Sequence, residues 1–226
     1  MRKVMEPGFE ILYLLIGLVI SIYILVKAKK KKEYILFGVM GLTLVFGDAF
    51  HLIPRIIHTW EIEVSDIYAM LGIGKLITSI TMTIFYVILY WFFKLRYKKK
   101  TPLYLDIIIY ILSIIRIVLC VLPANDWTSP NAPYMWGIYR NIPFVILGGI
   151  MVYLTYVWTR EYRDRSFRYA FLAISLSFIF YIMTVTLAAV NELFGMMMLP
   201  KTVCYVWILV MGIMALKGEK KTILEE

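Results

Sequence analysis

Seven apolar runs, each long enough to cross a bilayer as a helix, occupy most of this 226-residue chain. They are residues 9–26, 34–57, 67–93, 103–122, 137–158, 169–190 and 197–216. A helix rising about 1.5 Å per residue needs roughly 17–25 apolar residues to span the hydrocarbon layer. Lipid satisfies no backbone N–H or C=O group, so each run is expected to be helical. The connections are short, leaving room for one compact bundle and no separate soluble domain. With 62% hydrophobic and 17% charged residues, the chain holds more apolar surface than a water-soluble core can cover. The expectation is an all-α, polytopic membrane bundle of about seven transmembrane helices, in one domain over residues 1–226, with membrane lipids as its surroundings.

Residues 1–26 superficially resemble a secretory signal, with Arg2 and Lys3 ahead of an apolar run. That run ends in Lys27, Lys29, Lys30, Lys31 and Lys32 rather than at a small-residue cleavage site. A retained first helix is the better reading.

Lysine and arginine counts set the orientation, because cytoplasmic loops are enriched in them. The stretches 27–33, 94–100, 160–168 and 217–226 carry five, five, four and three. The alternate loops 58–66, 123–136 and 191–196 carry none. The N-terminus is therefore expected outside and the C-terminus in the cytoplasm, in the cell membrane. Trp60, Trp127 and Trp136 mark the outer interface, while Trp91 and Trp158 mark the inner one. The net charge of +9 is accounted for by these clusters, which argues against a nucleic-acid partner. A faint internal echo pairs "LGIGKLITS" around Lys75 with "MLPKTVCY" around Lys201, as a parallel duplication of three helices would.

Charges inside the spans carry the functional information, since each costs about 2.5–3.5 kcal/mol near the membrane centre. Asp48, His51, Arg55, Lys75, Arg116, Arg140 and Lys201 all fall in the expected outer half, with Glu192 just after the sixth span. Asp106, near the inner end of the fourth span, is the exception. Asp48, His51 and Arg55 stand at i, i+3 and i+7, one stripe of a helix. Lys75, Ser79 and Thr83 form a second stripe at i, i+4 and i+8. In "YRNIP", Arg140 and Asn141 sit at the outer mouth beside a proline. If these stripes face inward, Asp48, His51, Arg55, Lys75, Ser79, Arg116, Arg140, Asn141, Glu192 and Lys201 line one pocket. Five cations against two acids would favour a carboxylate, a phosphate or a lipid head group.

Three readings follow. The leading one is binding or transport of an anionic or amphiphilic small molecule. The second is an intramembrane lipid-modifying enzyme, with Asp48 and His51 as the candidate catalytic acid–base pair. The third is a structural partner subunit whose charges make interhelical ion pairs, Asp48 with Lys75 first among them. Blander roles also exist for single residues. Arg55, Arg140 and Lys201 lie near enough to the interface to snorkel, and Cys120 and Cys204 fit buried free thiols. Lys201 is too near the outer end of its span for a retinal linkage, and two histidines cannot build a three-histidine zinc site. An Asp48–His51–Glu192 metal set would be opposed by the surrounding cations. The sequence implies neither a cofactor nor a metal.

Overall fold

The computed structural model describes residues 2–188 and 190–225, without the side chains of Arg2, Lys3, Glu192 and 219–225. It is 82% helical, with no strand among the described residues and seven helices long and apolar enough to cross a membrane. The helices are α1 (Arg2–Lys27), α2 (Lys32–Thr59), α3 (Ile67–Arg96), α4 (Leu103–Val121), α5 (Tyr134–Tyr139), α6 (Ile142–Glu161), α7 (Ala170–Leu187) and α8 (Met198–Glu225). The pair α5–α6 makes up the fifth span, so the protein is an integral membrane protein of seven crossings. Successive spans pack side by side, and α1 closes the ring against α8. α3 reaches across to α6, and α2 to α8.

Local chemistry explains where these elements begin and break. Asp66 caps α3 by accepting from the Ala69 N–H at 3.0 Å. Pro143 cannot donate to the preceding turn, so the fifth span is interrupted at Arg140 and Asn141. The Asn141 amide then donates back to the Gly137 carbonyl at 2.7 Å. α2 and α3 approach closely because glycine faces them from both sides. A Cβ at Gly47 would overlap the Thr81 side chain, and one at Gly74 would overlap the Phe50 carbonyl and lie 2.8 Å from the His51 Cα. The Thr78 hydroxyl donates to the Gly47 carbonyl at 2.7 Å across the same contact.

The two ends of the bundle differ. At the end bearing the basic loops the interior is packed with rings. Phe37, Phe92, Phe93 and Phe167 are fully buried, with Phe37–Phe92 centroids 4.7 Å apart and Phe92–Phe167 5.1 Å apart. Phe167 comes from the α6–α7 connection, whose Asp164 is held by two residues at the end of α3. Arg96 Nε donates to Asp164 Oδ2 at 2.6 Å, Tyr97 donates to the same oxygen at 3.0 Å, and Arg96 Nη1 reaches the Tyr34 hydroxyl at 3.1 Å. Asp106 belongs to this end as well: Lys94 holds it at 2.7 Å, joined by Tyr90 and Thr101. The amino-terminal end is looser, with every α3 residue from 76 to 81 only half buried.

Candidate functional site

The acidic and basic side chains of the amino-terminal half described below come from six of the seven spans. α1 contributes a stripe that the apolar-run reading leaves at its edge: Glu6, Glu10 and Tyr13 at i, i+4 and i+7. It lies against the α2 stripe of Asp48, His51 and Arg55. Arg55 ion-pairs with Glu6, and its Nε lies 3.3 Å from Glu10 Oε1. The two carboxylates are nearly sealed from solvent, at 7% and 3% exposure. Arg55 is therefore a bridge between α1 and α2 rather than a cation free to snorkel. Asp48 accepts from the Tyr13 hydroxyl at 2.6 Å. It makes no ion pair with Lys75, so the two do not lock α2 to α3.

Lys75 holds a different position. Met82, Tyr86, Leu89 and Phe93 follow it at i+7, i+11, i+14 and i+18 on one face of α3, and each is at most 3% exposed. The same face carries Lys75 inward, yet Lys75 itself is exposed. The buried stripe thus ends at Lys75. Arg55 and Arg140 lie within electrostatic reach of Lys75.

Arg140 is held by the α4–α5 connection. Its Nη1 donates to Asn125 Oδ1 at 2.9 Å, and its guanidinium lies 4.1 Å from the Trp127 ring centroid. Asn125 and Trp127 in turn cap α4: the Asn125 amide donates to the carbonyls of Leu119 and Leu122, and Trp127 Nε1 donates to that of Cys120. The Trp127 backbone rests on Gly72, where a Cβ would collide with its carbonyl. Residues 122–133 thus fold over one side of the mouth, fastened by Arg140 rather than left loose with Arg140 in the interface.

Two cations lie deeper. Arg116 is 2% exposed, with its Cζ 3.2 Å from the Phe144 centroid. Its Nε and Nη1 have no hydrogen-bond partner. Lys201 is 4% exposed, with Nζ 4.8 Å from the Tyr181 ring and 5.6 Å from the Tyr205 ring, and no acid within ion-pairing distance among the described residues. Lys201 is too enclosed to snorkel. The Tyr181 hydroxyl donates to Asn141 Oδ1 at 2.7 Å, tying the break in the fifth span to the same group. Asp48 lies within electrostatic reach of Lys201, and Lys201 within reach of Arg116. Ser79 is half buried, and its own hydroxyl returns to the Lys75 carbonyl at 2.7 Å.

A small cavity connects α1, α2 and α8. Glu10, Tyr13, Asp48, His51, Arg55 and Lys201 line it, and it has about 10 Å³ of room, enough for one water molecule. Five cations of this half face three described acids: Asp48, Glu6 and Glu10. Glu192 begins the turn before α8, but its side chain is outside the described ones. Cys120 and Cys204 are both buried free thiols.

Glu6 and Glu10 are the residues that reading the spans one by one misses. Their spacing from Tyr13, facing a basic stripe on the next helix, was the available signal. Comparison with known protein families, characterised proteins and solved structures finds no match to this chain.

Proposed function

We propose that this protein binds a small anion, or an amphiphile with an anionic head, in the amino-terminal half of the bundle, with Arg116 and Lys201 as the inner anchors and Lys75 at the entrance. One observation carries this reading. Arg116 is a permanent cation buried among rings with two of its nitrogens, Nε and Nη1, unpartnered. A buried charge left in this way is costly unless an anion completes it. Carboxylate and phosphate oxygens match the guanidinium fork, and Phe144, Tyr181 and Tyr205 suit an apolar remainder beside the head.

We take the exposed Lys75 as the entrance, at the end opposite the basic loops. We place that end outside the cell membrane, because the lysine and arginine clusters belong in the cytoplasm. Movement of the ligand onward would require the Phe37–Phe92–Phe167 packing to part. The structural-subunit reading accounts for Arg55 and Arg140, whose partners are Glu6, Glu10, Asn125 and Trp127, but it leaves two nitrogens of Arg116 without an acceptor.

The test is thermal unfolding of the purified protein in nanodiscs, titrated with acetate, octanoate and lysophosphatidate. A saturable rise in unfolding temperature, lost in Arg116→Gln and Lys201→Gln but kept in Lys99→Gln at the basic end, is the expected result. No saturable rise with any of the three anions, or an equal rise in all variants, would overturn the proposal.

A further inference from the structure

Arg116 and Lys201 are not the only incomplete groups in the amino-terminal half. Apart from the two Arg116 nitrogens, the unpartnered buried side-chain atoms among the described residues are Glu10 Oε1 and His51 Nδ1, and both residues line the same one-water cavity. Glu10 is 97% buried, and although its Oε1 lies 3.3 Å from Arg55 Nε, the hydrogen bond is not made. Carboxylate oxygens accept, and an imidazole nitrogen without its proton also accepts. Two acceptors around one water can be satisfied together, because a water donates twice. If a proton is added, the carboxyl group or the imidazole becomes a donor to that water, and the network again closes.

The charges facing this cavity decide what such a proton would do. From α1 come Glu6, Glu10 and Tyr13, from α2 Asp48, His51 and Arg55, and from α8 Lys201, with Lys75 of α3 within electrostatic reach of His51. Asp48 accepts from Tyr13 and Glu6 from Arg55, whereas Glu10 is ion-paired with Arg55 but its Oε1 accepts no hydrogen bond. The pair left to take up a proton is Glu10 and His51.

We infer that the cavity between α1, α2 and α8 is a proton site, in which Glu10 and His51 share one proton through a single water, and that anion binding beside Lys201 is linked to its occupancy. The linkage rests on the anion-binding reading above. An anion arriving next to Lys201 lowers the positive potential at the cavity, which favours an added proton, and the effect is reciprocal. The proton comes from bulk water, and no bond other than that to hydrogen changes.

Two measurements on the full-length protein separate the parts. The first is proton uptake, followed with a pH-indicating dye in weak buffer on addition of acetate. The expected result is uptake approaching one proton per acetate bound, with affinity falling up to about tenfold per pH unit above the site's titration. Both effects disappear in Glu10→Gln and in His51→Gln. Acetate binding without uptake, or uptake unchanged in both variants, overturns the inference and leaves the anion site standing. The second is an infrared pH titration of the carboxyl band without any anion. A titrating band lost in Glu10→Gln and displaced in His51→Gln supports the proton site even where acetate does not bind, which would count against the anion reading alone. The absence of such a band overturns the proton site. Because His51→Gln leaves all the carboxylates in place, it serves where Glu10→Gln fails to fold.

Discussion

Replacing Arg116 with methionine should make the ligand-free protein more stable, not less. The two unpartnered nitrogens of Arg116, Nε and Nη1, each cost about 1–3 kcal/mol when buried without acceptors. Against this stands the stacking on Phe144 at 3.2 Å, worth about 2 kcal/mol for a desolvated cation. Methionine follows the same unbranched path and fills most of the vacated volume with apolar atoms. The balance favours the variant by about 2 kcal/mol, inside the roughly 1–4 kcal/mol seen when buried ionic groups give way to apolar ones. Adding a bound anion reverses the order. At about one hundred times its dissociation constant, a ligand stabilises the wild type by about 2.7 kcal/mol and leaves the variant unaffected. The assay is reversible unfolding of both proteins in the same detergent, first without and then with saturating octanoate. An Arg116→Met protein less stable than wild type by more than about 1 kcal/mol without ligand would show that the guanidinium is already satisfied. The reasoning from its unpartnered donors would then fail.

Arg55→Met should do the opposite, destabilising by about 3–5 kcal/mol because Glu6 and Glu10 are left buried and unpaired. The triple variant with Glu6→Gln and Glu10→Gln should recover most of that loss, as read by the same unfolding measurement. Gly74→Ala should cost about 1–3 kcal/mol, since the new methyl meets the Phe50 carbonyl and the His51 Cα, which are backbone and yield only if the helices separate. Arg140→Gln should loosen residues 122–133, seen as faster amide hydrogen exchange there with the α3–α6 core unchanged. Asp164→Asn should weaken the fastening of the α6–α7 connection by about 1–3 kcal/mol and speed exchange around Phe167. Unchanged exchange in either of these last two variants would assign the fastening to other contacts.

The helices were legible in the sequence because lipid leaves a chain few alternatives: an apolar run of bilayer length must satisfy its own backbone. The stripe of Lys75, Ser79 and Thr83 was visible as a period, but only Thr83 of the three is buried, with Ser79 half buried and Lys75 exposed. Glu10 escaped because it stands at the first turn of an apolar run, where a charge looks like a boundary rather than a lining. Arg140 escaped for another reason. Its partners Asn125 and Trp127 come from a connection without helical period, and the cap they build on α4 depends on how the chain turns back over Gly72. The break at Arg140–Asn141 was visible as a proline, but its hydrogen bond to Tyr181 on another span was not. Periodicity reports which face a residue occupies; it does not report what lies opposite that face.

The closure of the ring by α1 against α8 has a consequence for biosynthesis. α8 follows the other six crossings in the chain, so it is the last of them to reach the membrane. Until it docks, the cavity that it shares with α1 and α2 has no third wall, and Asp48, His51 and Tyr13 face lipid or a chaperone. A chain arrested before residue 198 would display an acidic, hydrogen-bonding seam within the bilayer, the kind of feature by which a quality-control protease tells an unfinished bundle from a finished one.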